Sequence, residues 1–273
     1  CLFPKQPVVK FEMARLFVLL SCIALAYGQS NDDILEWSRD IWTSDDNRYA
    51  DNDCQYNPYT SGDLFTYVNE GGFNGPTYSA FIALLDNYIT EIGTAEPECP
   101  QCRDEEWAFL DRIMETRPMQ KCHQYLADIG QAPGDLGEFK QSLYDHWFQP
   151  YSRSSGPLDS SGFEHVLVGE VRNSEVTGFH NWVQAYLEEQ DGNFGYEEYI
   201  EDCPPDVLTY SFYWDVEDKS YYKPIGGHWI RSSPEVEIAI YTLCFNTKRN
   251  QNCIVDLDDG QMIIKNYDWQ GTD

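Results

Sequence analysis

The stretch SSGFEHVLVGEV at 160–171, followed by EVTGFHNWVQAYLEEQ at 175–190, decides how the chain is read. FEHVLVGEV at 163–171 alternates: Phe163, His165, Leu167 and Gly169 fall on one face, Glu164, Val166, Val168 and Glu170 on the other. Period two predicts a strand. VTGFHNWVQAYLEEQ at 176–190 places Phe179, Trp182, Val183, Tyr186 and Leu187 at helical spacing. Further on, VLTYSFYWDV at 207–216, VEIAIYTLCF at 236–245 and CIVDL at 253–257 read as strands, and DDG at 258–260 supplies a hairpin turn into MIIKNYDW at 262–269. The C-terminal half is therefore expected to be an α+β unit with antiparallel strands.

Towards the N-terminus the pattern is helical. Helices are predicted at 34–42, 76–92, 105–116, 119–130 and 138–148, the second opened by Pro76 and the fourth closed by Gly130. Residues 93–103, with CPQC at 99–102, read as a loop. Before all of this stand Met13, Arg15, the apolar run LFVLLSCIALA at 16–26 and the small residues Ala26 and Gly28. That order reads as a secretory signal peptide over 13–28, with 1–12 as an upstream artefact and secretion to the extracellular space expected. No stretch reaches the 18–20 apolar residues of a membrane span.

The chain of 273 residues carries 18 basic and 46 acidic residues, a net charge of −28. A broad basic face for duplex nucleic acid is excluded, although a focused local site is not. With 15% aromatic and 42% hydrophobic residues, a sizeable core forms and disorder is excluded. Seven cysteines follow Gly28: Cys54, Cys99, Cys102, Cys122, Cys203, Cys244 and Cys253. In a secreted chain disulfides are the first reading, with CPQC a structural one and Cys244–Cys253 a plausible pair. Redox or zinc chemistry at CPQC has little support, since no second CxxC lies at finger spacing.

Three side chains stand out chemically. His165 lies between Gly162 and Gly169, His180 opens the following helix, and Lys223 precedes Pro224 and the pair Gly226-Gly227. Two imidazoles can divide general-base and general-acid work, and an ammonium can meet charge developing on a phosphorane. That set suits attack of an RNA 2′-hydroxyl on its own phosphodiester. Spacing alone does not show that the three converge, and no Ser–His–Asp or Cys–His pattern supports a protease.

Long motifs then carry a resemblance. PTYSAFIALLDNY at 76–88, EEWAFLDRIM at 105–114, EFKQSLYDHWFQPYSR at 138–153, SSGFEHVLVGEV at 160–171, EVTGFHNWVQAYLEE at 175–189, YYKPIG at 221–226 and SPEVEIAIYTLCF at 233–245 occur in one order. In these the chain resembles the EndoU family of poly(U)-specific endoribonucleases, distantly similar to the coronavirus uridylate-specific endoribonuclease. The resemblance implies an α+β fold over 29–273. Residues 31–150 would form a mainly helical part and 151–273 a two-lobed catalytic part that stops before the family's final strands.

The resemblance also implies a secreted, uridylate-preferring endoribonuclease acting on single-stranded RNA. It would leave 2′,3′-cyclic phosphate and 5′-hydroxyl ends, as a phosphorus–oxygen lyase. His180 matches the general base, His165 the general acid and Lys223 the catalytic lysine. Glu164 and Glu170 match two supporting acidic positions. The alternation sets both on the face opposite His165, which reads as a structural or metal-linked role. Mn²⁺ is implied as cofactor, with ligands unknown, and the expected state is a monomer. The family's small hydroxyl residue four positions beyond the lysine is Gly227 here, which predicts relaxed base choice, and His228 beside it is a candidate for reaching phosphate or base. An RNA-binding or protein-interaction module with weakened turnover is the alternative, motivated by Gly227 and the early ending.

Overall fold

The computed structural model describes residues 30–153, 156–202 and 206–267. The expected signal peptide and the last residues lie outside these. Ser30 caps the first helix, α1 (Asn31–Thr43), by accepting from the Asp33 amide. A small hairpin follows, β1 (Cys54–Tyr56) with β2 (Phe65–Val68), and then α2 (Pro76–Ile82). Three longer helices complete the helical part: α3 (Pro100–Met114), α4 (Arg117–Asp128) and α5 (Leu136–Trp147).

The helix predicted over 76–92 ends ten residues early. Leu84, Leu85 and Asn87 each bond back three residues in turns, and the chain then extends so that Thr90 O accepts from the Val171 amide and Ile92 N donates to Val171 O. Part-buried Tyr88 stacks on Phe163 with ring centroids 5.8 Å apart. Tertiary pairing outweighs local periodicity here.

A five-stranded mixed sheet has the order β3 (Glu170–Arg172), β4 (Glu175–Thr177), β7 (Lys219–Trp229), β6 (Val207–Val216), β5 (Phe194–Asp202). All neighbours are antiparallel except β4 and β7. Helix α6 (Trp182–Gln190) enters between β4 and β5, capped by Asn181, whose side chain accepts from Val183 and Gln184. The predicted strand at 236–245 is instead helix α7 (Pro234–Thr247). Ser233 caps it, Pro234 takes its first position, and ten of its residues are buried. A helix buried all round has no polar stripe, so its sequence reads as an unbroken apolar run, like a central strand. Helices α1 and α4 pack on α7. The disulfide Cys244–Cys253 ties it to the last hairpin, β8 (Asn252–Asp256) and β9 (Gln261–Lys265).

Two aromatic anchors organise the interior. Phe163 is fully buried against Phe148, Phe81 and Phe109, at ring separations of 5.0, 5.7 and 5.8 Å, inside the helical part. Phe179 is fully buried against Trp214, Phe212 and Phe194, at 4.8, 5.3 and 5.9 Å, on the inner face of the sheet. Burial of each ring is worth about 1.5–3 kcal/mol. One anchor stands two residues before His165 and the other one residue before His180.

Candidate active site

The predicted strand at 163–171 does not form over its first half. Glu164–Val168 is a single π-helical turn, closed by Gly169 at φ 105°, whose amide reaches Glu164 O at 2.8 Å. Only Glu170–Arg172 is extended. The turn is seated by Ser161 Oγ, which accepts from the Glu164 amide at 3.1 Å. Gly162 passes so close to α5 that a Cβ there would lie 2.8 Å from His146 O. Single π turns of this kind occur often at functional sites.

Because the turn breaks the alternation, Glu170 does not face away from His165. Its Oε2 lies 2.6 Å from His165 Nδ1 and also accepts from Arg153. Burial alone would push the Glu170 carboxyl up, but the His165 hydrogen bond and the charges of His165 and Arg153 hold it below the usual range. With Nδ1 donating to this carboxylate, His165 Nε2 is the nitrogen left for substrate. Arg153, also 2.8 Å from His165 Nδ1, is a neighbour that no sequence motif singles out. No spacing rule brings residue 153 to residue 165 through an irregular loop.

Glu164 differs from Glu170. It is fully buried, and among the described residues neither carboxyl oxygen has a hydrogen-bond partner. Burial, then the charge of Glu170, pushes it up to about 10, so it is a neutral acid at pH 7.

His180 is delivered by two consecutive residues in the left-handed region, Gly178 at φ 64° and Phe179 at φ 62°. This kink lays the segment along the π turn: Phe179 N donates to His165 O at 3.0 Å and His180 N to Val166 O at 2.7 Å. Part-buried His180 places Nδ1 3.0 Å from Gly227 O, so Nδ1 donates and Nε2 is the free acceptor. Burial, followed by the Lys223 charge, drives the imidazole well below its ordinary range, so it is neutral at pH 7 with Nε2 unprotonated.

Lys223 projects from β7 opposite Phe212 on β6, beside an irregularity in the pairing between Tyr210 and Phe212. It is 6% exposed, and its Nζ donates to Gly178 O. Burial lowers it to about 7. Gly226 leaves room for its stem: a Cβ there would stand 2.6 Å from Phe212 and 3.4 Å from Lys223 Cδ.

The three expected residues therefore meet around one glycine. A Cβ on Gly178 would lie 3.0 Å from His165 Nδ1, the carbonyl of Gly178 holds Lys223, and His180 is two residues on. Gly227 is at the same centre, part-exposed, with its carbonyl on His180. His228 is not. Its ring is fully buried, 5.0 Å from Tyr210 and 5.8 Å from Phe179, with neither nitrogen hydrogen-bonded among the described residues, and burial lowers it to about 3. Such a ring cannot present itself to phosphate or base, which corrects that expectation.

The residues at the centre do not fit a metal ion. Glu164 and Glu170 have unpartnered buried oxygens, but among the described residues no group of three or more His, Cys, Asp or Glu is placed to hold a cation. Ca²⁺ takes six to eight oxygen ligands and Mg²⁺ one or two ionised carboxylates with waters completing an octahedron, whereas Glu170 is committed to His165 and Arg153 and Glu164 is a neutral acid. Among the described residues no helix is long and apolar enough to cross a membrane.

Similarity to known proteins follows the same outline. The sequence pattern of the family described as Endoribonuclease XendoU matches residues 33–273. The human uridylate-specific endoribonuclease is 44% identical over 210 residues, 76% of this chain and 50% of that protein. The mouse protein of the same description is 42% identical over 213 residues, 77% and 50% respectively. The chain thus spans about half the length of these mammalian relatives. Uridylate-specific endoribonuclease D of Xenopus laevis is 35% identical over 259 residues, 88% of this chain and 83% of that one. A solved structure, of XendoU, "a splicing independent snoRNA processing endoribonuclease", superposes with a TM-score of 0.76 at 35% identity, covering 88% of this chain and 95% of its own.

Proposed function

The chain belongs to the XendoU endoribonuclease family, and on that premise we propose that it cleaves single-stranded RNA at uridines, leaving 2′,3′-cyclic phosphate and 5′-hydroxyl ends. The observation that carries the reading is the assembly of His165, His180 and Lys223 around Gly178.

His180 Nε2 takes the proton of the 2′-hydroxyl, and O2′ attacks the adjacent phosphorus. Its neutral state at pH 7 and its fixed tautomer suit it to this task. His165 gives the Nε2 proton to the departing O5′, and Glu170 with Arg153 fixes its ring from behind. The Lys223 ammonium, 6% exposed and so little hydrated, meets the negative charge that grows on the phosphorane. Mn²⁺ has no part in these proton transfers, since among the described residues no ligand set is placed to hold it. Secretion is part of the same proposal, and the buried disulfide Cys244–Cys253 is in keeping with an oxidising compartment.

The test uses one oligonucleotide with a single uridine and its counterpart with 2′-deoxyuridine at that position. The first is expected to give a cyclic-phosphate product and the second none. Equal cleavage of both would overturn the mechanism, since the deoxy substrate has no internal nucleophile.

Base choice has a separate handle. A Cβ on Gly227 would find no atom closer than 4.0 Å, so Gly227→Ser fits without displacement. The added hydroxyl stands where the family carries its uracil-recognising residue. Gly227→Ser is expected to raise discrimination of uridine over cytidine about fivefold, the equivalent of one net hydrogen bond of about 1 kcal/mol. Competition between two labelled oligonucleotides reads the ratio, and an unchanged ratio refutes the assignment.

A further inference from the structure

Outside the centre, the CPQC motif at 99–102 has a geometry that its sequence did not disclose. Cys99 is not in a loop but at the N-cap of α3, with Pro100 in the first helical position. Its sulfur occupies the place of a capping serine or aspartate oxygen and accepts from the Cys102 amide at 3.1 Å. Helix α3 runs 15 residues, so the partial positive charge of its unpaired amides is developed at Cys99. Its first turn holds no acidic residue, and Arg103 follows Cys102 directly. Glu98 precedes Cys99 outside the helix and Asp104 follows Arg103 in its second turn, while Glu105 is engaged by Gln101 and Asn87, each at 2.9 Å.

Cys99 and Cys102 are joined, and both are partly exposed. The other disulfide, Cys244–Cys253, is fully buried. A sulfur at a helix N-terminus within C-x-x-C is stabilised as thiolate, which makes it a good leaving group in exchange.

We propose that Cys99–Cys102 is a thiol–disulfide exchange site that accepts two electrons from a dithiol. One sulfur of the dithiol, as thiolate, attacks Cys102 Sγ. The Cys99–Cys102 bond breaks, and its electron pair remains on Cys99 Sγ, held by the α3 amides. The second sulfur of the dithiol, deprotonated, attacks the first across the mixed disulfide and releases Cys102, which takes up one proton. The dithiol leaves as a disulfide, the second proton goes to solvent, and the protein is reduced by two electrons. The site is independent of the ribonuclease reading.

The experiment equilibrates the full chain with graded mixtures of reduced and oxidised dithiothreitol, alkylates, and counts each cysteine by peptide mass spectrometry. Cys99–Cys102 is expected to be more than half reduced in mixtures that leave Cys244–Cys253 intact. In the reduced protein at pH 6, iodoacetamide is expected to modify Cys99 about tenfold faster than Cys102. Opening of the two disulfides in the same mixture, or equal alkylation of Cys99 and Cys102, overturns the proposal.

Discussion

Replacing His180 by alanine lowers kcat/KM on a uridine-containing oligonucleotide by about 10²–10⁴-fold, the usual worth of a positioned general base. The melting temperature is expected to change little, because the ring is only part-buried and its one bond within the fold goes to Gly227 O. The pH profile carries the sign of the argument. His180 sits well below its ordinary range, so the base is ready across neutral pH. Lys223, lowered to about 7, is charged below that pH and neutral above it. In the wild type kcat/KM therefore falls above about pH 7, approaching tenfold per pH unit. Lys223→Arg keeps its charge at all these values, so its alkaline limb loses the Lys223 contribution and becomes shallower, leaving only proton loss from the general acid, even though its absolute rate drops. A His180→Ala variant within about threefold of wild type would remove the general-base assignment. An alkaline limb as steep in Lys223→Arg as in the wild type would remove the ammonium from the rate-determining charge state.

The same residues show what was legible in the sequence. His165, His180 and Lys223 were visible as chemistry-bearing types in long motifs, and the structure sets them together. The relation of Glu170 to His165 was misread, because a five-residue π turn looks like alternation over so short a window. Periodicity reports a face only when the backbone keeps one geometry throughout. Helix α7 was misread for a different reason: burial on all sides erases the polar stripe, leaving only the capping sequence Ser233-Pro234-Glu235 as a helix signal. His228 was placed near substrate by its adjacency to Gly227. On a strand, however, adjacent residues face opposite sides, and its side is the interior. The place of Arg153 beside His165 has no sequence signal, since that closeness is set by packing of non-local segments.

Gly178→Ala is expected to disable the centre as thoroughly as loss of a catalytic side chain, although alanine brings no chemistry. Two costs can be separated. The backbone at 178 has φ 64°, where an L-residue pays about 1–2 kcal/mol. The new methyl would also lie 1.5 Å from His165 O, a separation no rearrangement of side chains can relieve. The strand must move off the π turn, which pulls Phe179 N from His165 O and shifts the carbonyl that anchors Lys223. A displacement near 1 Å at the reacting groups costs about 10²-fold in rate.

Gly130→Ala isolates the first cost, for Gly130 has φ 69° and no atom within 4 Å of a built Cβ. That variant is expected to lose stability with its kcat/KM intact, whereas Gly178→Ala loses both, and loses more stability than Gly130→Ala in urea unfolding. If the two variants unfold alike and both cleave at the wild-type rate, the close approach at Gly178 does not hold the two histidines and the lysine in place, and the site must be assembled by other contacts.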